Sequence, residues 1–166
     1  QMVNDHQVPI ESISPTHVAR TSDLFDSAIE FGKLGGRIDI TTGASKFTDP
    51  HKAVLMAIER KLPVDRITFS TDGNAGLDLK DKNNNVIGTK PAPIRANLEE
   101  FIKLVKTKNI SIPDALTVVT SNVADNLGLN NKGRLQVGKD SDFCVFDSSW
   151  NLKTVISKGK IHSIES

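Results

Sequence analysis

The chain has 166 residues, 37% of them hydrophobic, with 21 Lys and Arg against 20 Asp and Glu and a single cysteine. That is enough apolar material for a core and too little chain for two full-sized domains, which excludes a disordered polypeptide. The net charge of +1 gives no reason to expect nucleic acid or an anionic membrane as partner, the longest wholly apolar run (Ala53–Ile58) falls far short of the ~20 residues of a spanning helix, and the lone Cys144 excludes a disulfide framework or a cysteine zinc cluster.

The expectation is a soluble, cytoplasmic protein of the α/β class. Ile13–His17 reads as a short strand with Pro15 bending its end. A helix over Asp23–Lys33 follows, with Leu24, Phe25, Ala28 and Ile29 on one face and Gly35-Gly36 as a stop. Arg37–Thr42 reads as a second strand. Asp49-Pro50 is the N-cap and N1 pair of a helix running through Val54, Leu55, Ala57 and Ile58 to Lys61. Val64–Thr71 is a third strand, setting Ile67 and Phe69 against Thr68 and Ser70. Strand, helix, strand, helix, strand predicts parallel pairing through right-handed crossovers.

The rhythm then changes. Asp81-Lys82-Asn83-Asn84-Asn85 is a turn signal that predicts a hairpin within Leu77–Gly88. Leu98, Phe101, Ile102 and Val105 have the spacing of an amphipathic helix. Two shorter helices follow over Ser111–Val119 and Ser121–Leu127, the second ended by Gly128. From Gly133 the chain is β-rich, with strands over Asp142–Phe146, Leu152–Lys158 and Ile161–Ile164.

Ligands and catalytic groups gather at the C-terminal ends of parallel strands. The first strand ends in Ser14-Pro15-Thr16-His17 and the third in Thr71-Asp72-Gly73-Asn74. The second ends in Thr41-Thr42-Gly43, offering hydroxyls but no metal ligand. Imidazole and carboxylate are both good zinc ligands, and a carboxylate also takes a proton from water, so His17 and Asp72 form a candidate metal pair. A His at a strand end and an Asp-Gly turn are equally ordinary structural features, and spacing alone leaves both readings open. Arg20, in the loop after His17, either grips a substrate carboxylate or is a solvated surface residue. His6, His51 and His162 read as surface residues, and Cys144 as a core residue of a buried strand.

Three segments resemble consecutive motifs of the isoaspartyl (β-aspartyl) dipeptidases of the amidohydrolase superfamily. They are Ser14-Pro15-Thr16-His17-Val18-Ala19-Arg20, Gly35-Gly36-Arg37-Ile38-Asp39-Ile40-Thr41 and Phe69-Ser70-Thr71-Asp72-Gly73-Asn74. Thr120-Ser121-Asn122-Val123-Ala124, Lys132-Gly133-Arg134-Leu135 and Gly138-Lys139-Asp140-Ser141-Asp142-Phe143 resemble the ending common to many amidohydrolases. The likeness runs from about Pro9 to Lys160.

The resemblance implies a TIM-type (β/α)₈ barrel of which residues 1–130 hold strands six to eight, with residues 131–166 as a β-rich tail belonging to a small β-sandwich domain. It implies a zinc-dependent hydrolase, with two zinc ions, cleaving the isopeptide bond of β-aspartyl dipeptides. His17 is then a metal ligand, Asp72 a metal ligand and the general acid/base, and Arg20 a substrate-binding residue. Family members typically continue Asp-Gly-Asn with Gly-Ser; here the residues are Ala75-Gly76. That departure keeps other amidohydrolases, such as dihydroorotase- or hydantoinase-like cyclic amidases, in view.

A binuclear site of this family also needs a His-x-His pair, a bridging ligand and a further His, and the chain contains no His-x-His. A complete barrel takes ~250 residues, and a catalytic zinc normally has three protein ligands. The expectation is therefore the C-terminal part of a larger enzyme, inactive alone. Exposed barrel-strand edges would favour a homo-oligomer or association with the missing N-terminal part. An inert structural or oligomerisation fragment is the non-enzyme alternative.

Overall fold

The computed structural model describes residues 2–43, 46–73 and 75–163. After a short helix α1 (Met2–His6), the chain makes a 3-10 turn and runs extended from Ile13 to His17. Helix α2 (Ser22–Lys33) begins where Thr21 accepts a hydrogen bond from the Leu24 N–H at 3.3 Å. This cap satisfies one of the donors a helix start leaves orphaned. The helix buries Phe25, Ala28, Ile29 and Gly32, whereas Leu24, expected on the same face, is exposed.

Strands β1 (Ile38–Thr41) and β2 (Ile67–Ser70) pair in parallel, Asp39 opposite Thr68 and Thr41 opposite Ser70. Helix α3 (Pro50–Glu59) lies between them in sequence and packs against β1. Pro50 opens α3 as expected, but Asp49 makes no capping bond. Its carboxylate instead pairs with Lys52 Nζ at 2.7 Å, which holds it below its ordinary pKa. Because side chains alternate along a strand, Ile38, Ile40, Ile67 and Phe69 enter one apolar cluster with α2 and α3. The opposite face carries Asp39, Thr41, Thr68 and Ser70.

Ile13–His17 is not a paired strand, although it runs beside β1. Arg37 N–H donates to the Ile13 carbonyl at 3.2 Å and Asp39 N–H to the Pro15 carbonyl at 3.0 Å. A parallel ladder needs return donors, and Pro15 has no N–H to give. The segment is a strand in direction and position with half its ladder missing.

Strands β3 (Gly76–Lys80) and β4 (Val86–Pro91) form the expected hairpin. Asp81 closes its turn by accepting from the backbone N–H of Asn83 and Asn85 and from the Asn85 side chain. Helices α4 (Ala96–Lys106), α5 (Ile112–Thr117) and α6 (Ser121–Asn126) follow, with Ser111 capping α5 and Gly128 at φ +65° just beyond α6.

The outer edge of β2 is not the open barrel edge the sequence led us to expect. Phe69 N–H donates to the Val118 carbonyl at 3.1 Å, Asn97 Nδ2 to the Phe69 carbonyl at 3.4 Å, and Asn122 Nδ2 to the Ile67 carbonyl at 2.9 Å. The buried Asn122 also donates to Val64.

The tail forms an antiparallel sheet of β5 (Phe143–Phe146), β6 (Leu152–Ser157) and β7 (Lys160–Ser163); Ile164, expected in the last strand, lies outside the described residues. Asp147 repeats the Asp81 device between β5 and β6: hydrogen bonds led by the Asn151 side chain lower its pKa to about 2. Trp150 ties the tail to the helices, its ring centroid 5.7 Å from Phe101 and 5.8 Å from Phe146. Cys144, expected in a core, is exposed, because β5 faces a groove and not a packed layer. This groove, about 960 Å³, runs between the helices and the tail sheet and is lined by Leu98, Phe101, Val123, Leu135, Phe143 and Val155 among others. No helix among the described residues is long and apolar enough to cross a membrane.

Candidate active site

The C-terminal ends of the extended segment and of β2 carry His17 and Asp72. His17 Nε2 lies 3.8 Å from Asp72 Oδ2, with the two side chains 24% and 39% exposed. Residues distant in sequence thus converge on one point open to solvent. Both occupy left-handed backbone, His17 at φ 58° and Asp72 at φ 54°. Non-glycine residues visit that region rarely, and such conformations concentrate at functional sites.

Beneath the pair, hydroxyls gather around one buried carboxylate. Asp39 Oδ2 accepts from Thr16 Oγ1 at 2.7 Å and from Ser70 Oγ at 2.5 Å, and its Oδ1 accepts from Thr68 Oγ1 at 2.9 Å. Thr41 Oγ1 is 2.8 Å from His17 Nδ1 and 3.5 Å from Thr16 Oγ1. Asp39, Thr41 and Thr68 are all buried, and three donors compensate the carboxylate for its lost water. A cavity of about 270 Å³ beside Asp39 is lined by Ser14, Thr16, Thr68, Ser70 and Asn126, and its lining includes neither His17 nor Asp72.

A family model for the amidohydrolase family matches residues 16–162. The chain belongs to the amidohydrolase family. Among solved structures, this amidohydrolase is similar to the β-aspartyl dipeptidase of the keratin-degrading thermophile Fervidobacterium islandicum AW-1, crystallised with a β-Asp-Leu dipeptide. Identity is 32% and the TM-score 0.81, over 96% of this chain and 42% of that one. A second crystal structure of that dipeptidase gives 29% identity and a TM-score of 0.76, over 93% of this chain and 38% of the other. An N-acetylglucosamine-6-phosphate deacetylase from Thermotoga maritima, 15% identical with a TM-score of 0.54, shares the fold alone over 75% of this chain and 38% of its own. The amidohydrolase chain therefore spans less than half the length of these relatives.

Of the site residues read from the sequence, the structure brings His17 and Asp72 together. Arg20 lies in the 3-10 turn Val18–Arg20, exposed, with no side-chain hydrogen bond or ion pair among the described residues. Asn74 of the Asp-Gly-Asn motif lies outside the described residues. Gly76 opens β3, and a Cβ there would come within 2.7 Å of Thr89 Cγ2. The hairpin is thus packed for a glycine at the position where the resemblance led us to expect a serine.

Sequence reasoning missed Asp39 and its hydroxyl partners. The signal was present in Ile-Asp-Ile-Thr and Ile-Thr-Phe-Ser, where every second residue of a helix-flanked strand is polar. His51 is a correction as well. It is half-buried, not a surface residue: its Nδ1 lies 2.8 Å from Glu100 Oε2, and Glu100 also accepts from Lys103 Nζ. His6 and His162 are exposed, as expected.

Proposed function

We propose that this chain carries the His17/Asp72 half-site of a zinc-dependent amidohydrolase that cleaves the isopeptide bond of β-aspartyl dipeptides. The observation that carries the reading is the 3.8 Å approach of His17 Nε2 to Asp72 Oδ2 at the ends of the two strand segments that flank β1, supported by the 32% identity to a β-aspartyl dipeptidase. In this reading residues 1–130 contribute strands six to eight of a (β/α)₈ barrel, and residues 131–166 belong to a small β domain.

The donors present fit a zinc ion. An imidazole nitrogen and a carboxylate oxygen are preferred ligands, and bonds of about 2.0–2.2 Å each reach across a 3.8 Å gap. Among the described residues no cluster of three or more such ligands forms, so further ligands come from a second polypeptide segment. When bound, the metal supplies a Lewis acid and lowers the pKa of water. The chain's own contributions are positional and protonic. Asp72 Oδ2 takes the proton of the attacking water and returns it to the leaving amine, and the exposed Arg20 guanidinium binds the dipeptide's carboxylate.

The partners in this reading are the small dipeptide and the remaining part of a longer amidohydrolase, which supplies the other strands and ligands. The chain alone is inactive. In the assembled enzyme, Asp72→Asn is expected to lower hydrolysis of β-Asp-Leu at least about 100-fold, measured by release of free leucine; unchanged turnover would sink the assignment. Gly76 favours one second reading, a hydantoinase-like cyclic amidase whose ring substrate has no free carboxylate to hold. Arg20→Met separates the two: kcat/KM should fall about 10- to 100-fold for a dipeptidase and hardly at all for a cyclic amidase.

A further inference from the structure

We propose that the cavity beside Asp39 is a binding site for a primary ammonium group carried on an aliphatic stem. The site is separate from the dipeptidase chemistry, since neither His17 nor Asp72 lines it.

Asp39 is 8% exposed, and its carboxylate forms no ion pair among the described residues. Three hydroxyls solvate that carboxylate without neutralising it, and a buried charge is normally paired. A carboxylate only accepts hydrogen bonds. Thr16, Ser70 and Thr68 therefore each spend their one hydroxyl hydrogen on Asp39, at 2.7, 2.5 and 2.9 Å. What Thr16 Oγ1 and Ser70 Oγ have left for a further contact is lone pairs. The carboxylate itself offers about four acceptor positions, of which these hydroxyls fill three. The floor of the cavity around Asp39 thus presents acceptors and one negative charge. An anion or a carbonyl finds no partner there. An ammonium brings three donors and the compensating charge, whereas a guanidinium brings five donors in a rigid plane, more than the acceptors left.

The rest of the cavity selects the stem. Phe69, Val123 and Leu127 form its apolar side, and Leu127 is 64% exposed, so this wall is within reach from solvent. A bare alkali ion gains nothing from such a wall. An alkyl chain lies along it while its charged end reaches Asp39, as the long stem of a lysine lies along apolar surface. At about 270 Å³ the space has room for a short chain of this kind. Two sources carry the chemistry: a lysine of the second polypeptide segment, and a free alkylamine.

The test titrates the full chain, ¹⁵N-labelled and without metal, with n-butylammonium chloride. n-Butanol controls for the stem, and tetramethylammonium chloride for charge and ionic strength. Butylammonium should move the amide signals of Asp39, Thr68 and Ser70 saturably, and bind at least about 10-fold more tightly than either control. Asp39→Asn should weaken it at least about 10-fold, with an amide spectrum otherwise like the parent's as proof of folding. Leu127→Ser, at an exposed position, should weaken butylammonium about 3- to 10-fold and leave methylammonium unchanged. Were Asp39→Asn unfolded, the control titrations and Leu127→Ser would still decide. A parent chain with no saturable response overturns the site, as does an equal response to butanol or a folded Asp39→Asn that binds like the parent. In the assembled enzyme, loss of the butylammonium response assigns the site to a lysine of the second segment, and a retained response assigns it to a free amine. An ammonium site in a protein that cleaves no dipeptide would refute only the reading above and leave this inference standing.

Discussion

Asp72 serves two masters, the site and the backbone. Its φ of 54° lies in the left-handed region, where a Cβ costs roughly 1–2 kcal/mol and Asp, Asn and Gly are the residues that tolerate it. Stability and activity should therefore separate at this position. Asp72→Asn should leave the denaturation midpoint unchanged, while Asp72→Ala should cost about 1 kcal/mol. Urea titrations of both variants check this; an alanine variant as stable as the asparagine one would show that the local strain is negligible. The same conformation at His17, φ 58°, means that both proposed ligands sit at the points where the chain turns away from its strands.

At the scale of elements, Glu100 joins α4 to α3 by accepting from the backbone and ring of His51 and from Lys103. Burial pulls the Glu100 carboxyl upward, and the hydrogen bonds from Lys103 and His51 outweigh it, so the net shift is below the ordinary 4.5. A carboxyl with a depressed folded pKa contributes stability that is fully present above its unfolded value and lost as pH falls through the folded one. Thermal melts should therefore show the chain more stable than Glu100→Gln above about pH 5, with the gap closing as the solution is acidified below 4.5. A gap independent of pH would mean that the carboxylate charge is not what links the helices.

The elements themselves were legible because their signals are local. Proline after Asp49, Gly128 after α6 and the Asp81–Asn85 turn each act within a few residues. What could not be read depended on register. Asp39 becomes the anchor of the site only when β1 lies opposite β2 with Thr68 beside it. His51 becomes an ion-pair partner only when α4 packs on α3. Cys144 was misread because an apolar strand predicts a covering layer, and here the described residues leave its side of the sheet open. His17 and Asp72 were found because strand ends are legible in sequence, although only the fold shows their Nε2 and Oδ2 meeting.

Over the whole molecule, several apolar side chains between residues 127 and 137 stay exposed. Leu127, Leu135 and Val137 are 64%, 70% and 101% exposed, and Leu135 belongs to the groove that Cys144 also lines. Cys144 is thus a reporter of occupancy. Burial raises its thiol pKa, so reaction with a disulfide reagent should be slower than for a free thiol yet complete in the chain alone. Adding the part of the Fervidobacterium dipeptidase outside its matched 42% should protect the thiol at least about 10-fold if that partner fills the groove. Equal labelling rates with and without it would place the partner elsewhere.

The covered edge of β2 governs how such a partner could enter. A strand arriving beside Phe69 finds its N–H held by Val118 and its carbonyl by Asn97, with Asn122 on Ile67. Assembly at that edge is then an exchange reaction, in which the α5–α6 segment lets go before the newcomer can bond. If the proposed partner docks there, the covered edge is a latch, and the docking rate is expected to plateau at high partner concentration. Asn122→Ala, which removes the hydrogen bond to Ile67 from the latch, should raise that plateau in stopped-flow mixing; a rate that climbs without limit in the parent chain would mean that the edge opens freely.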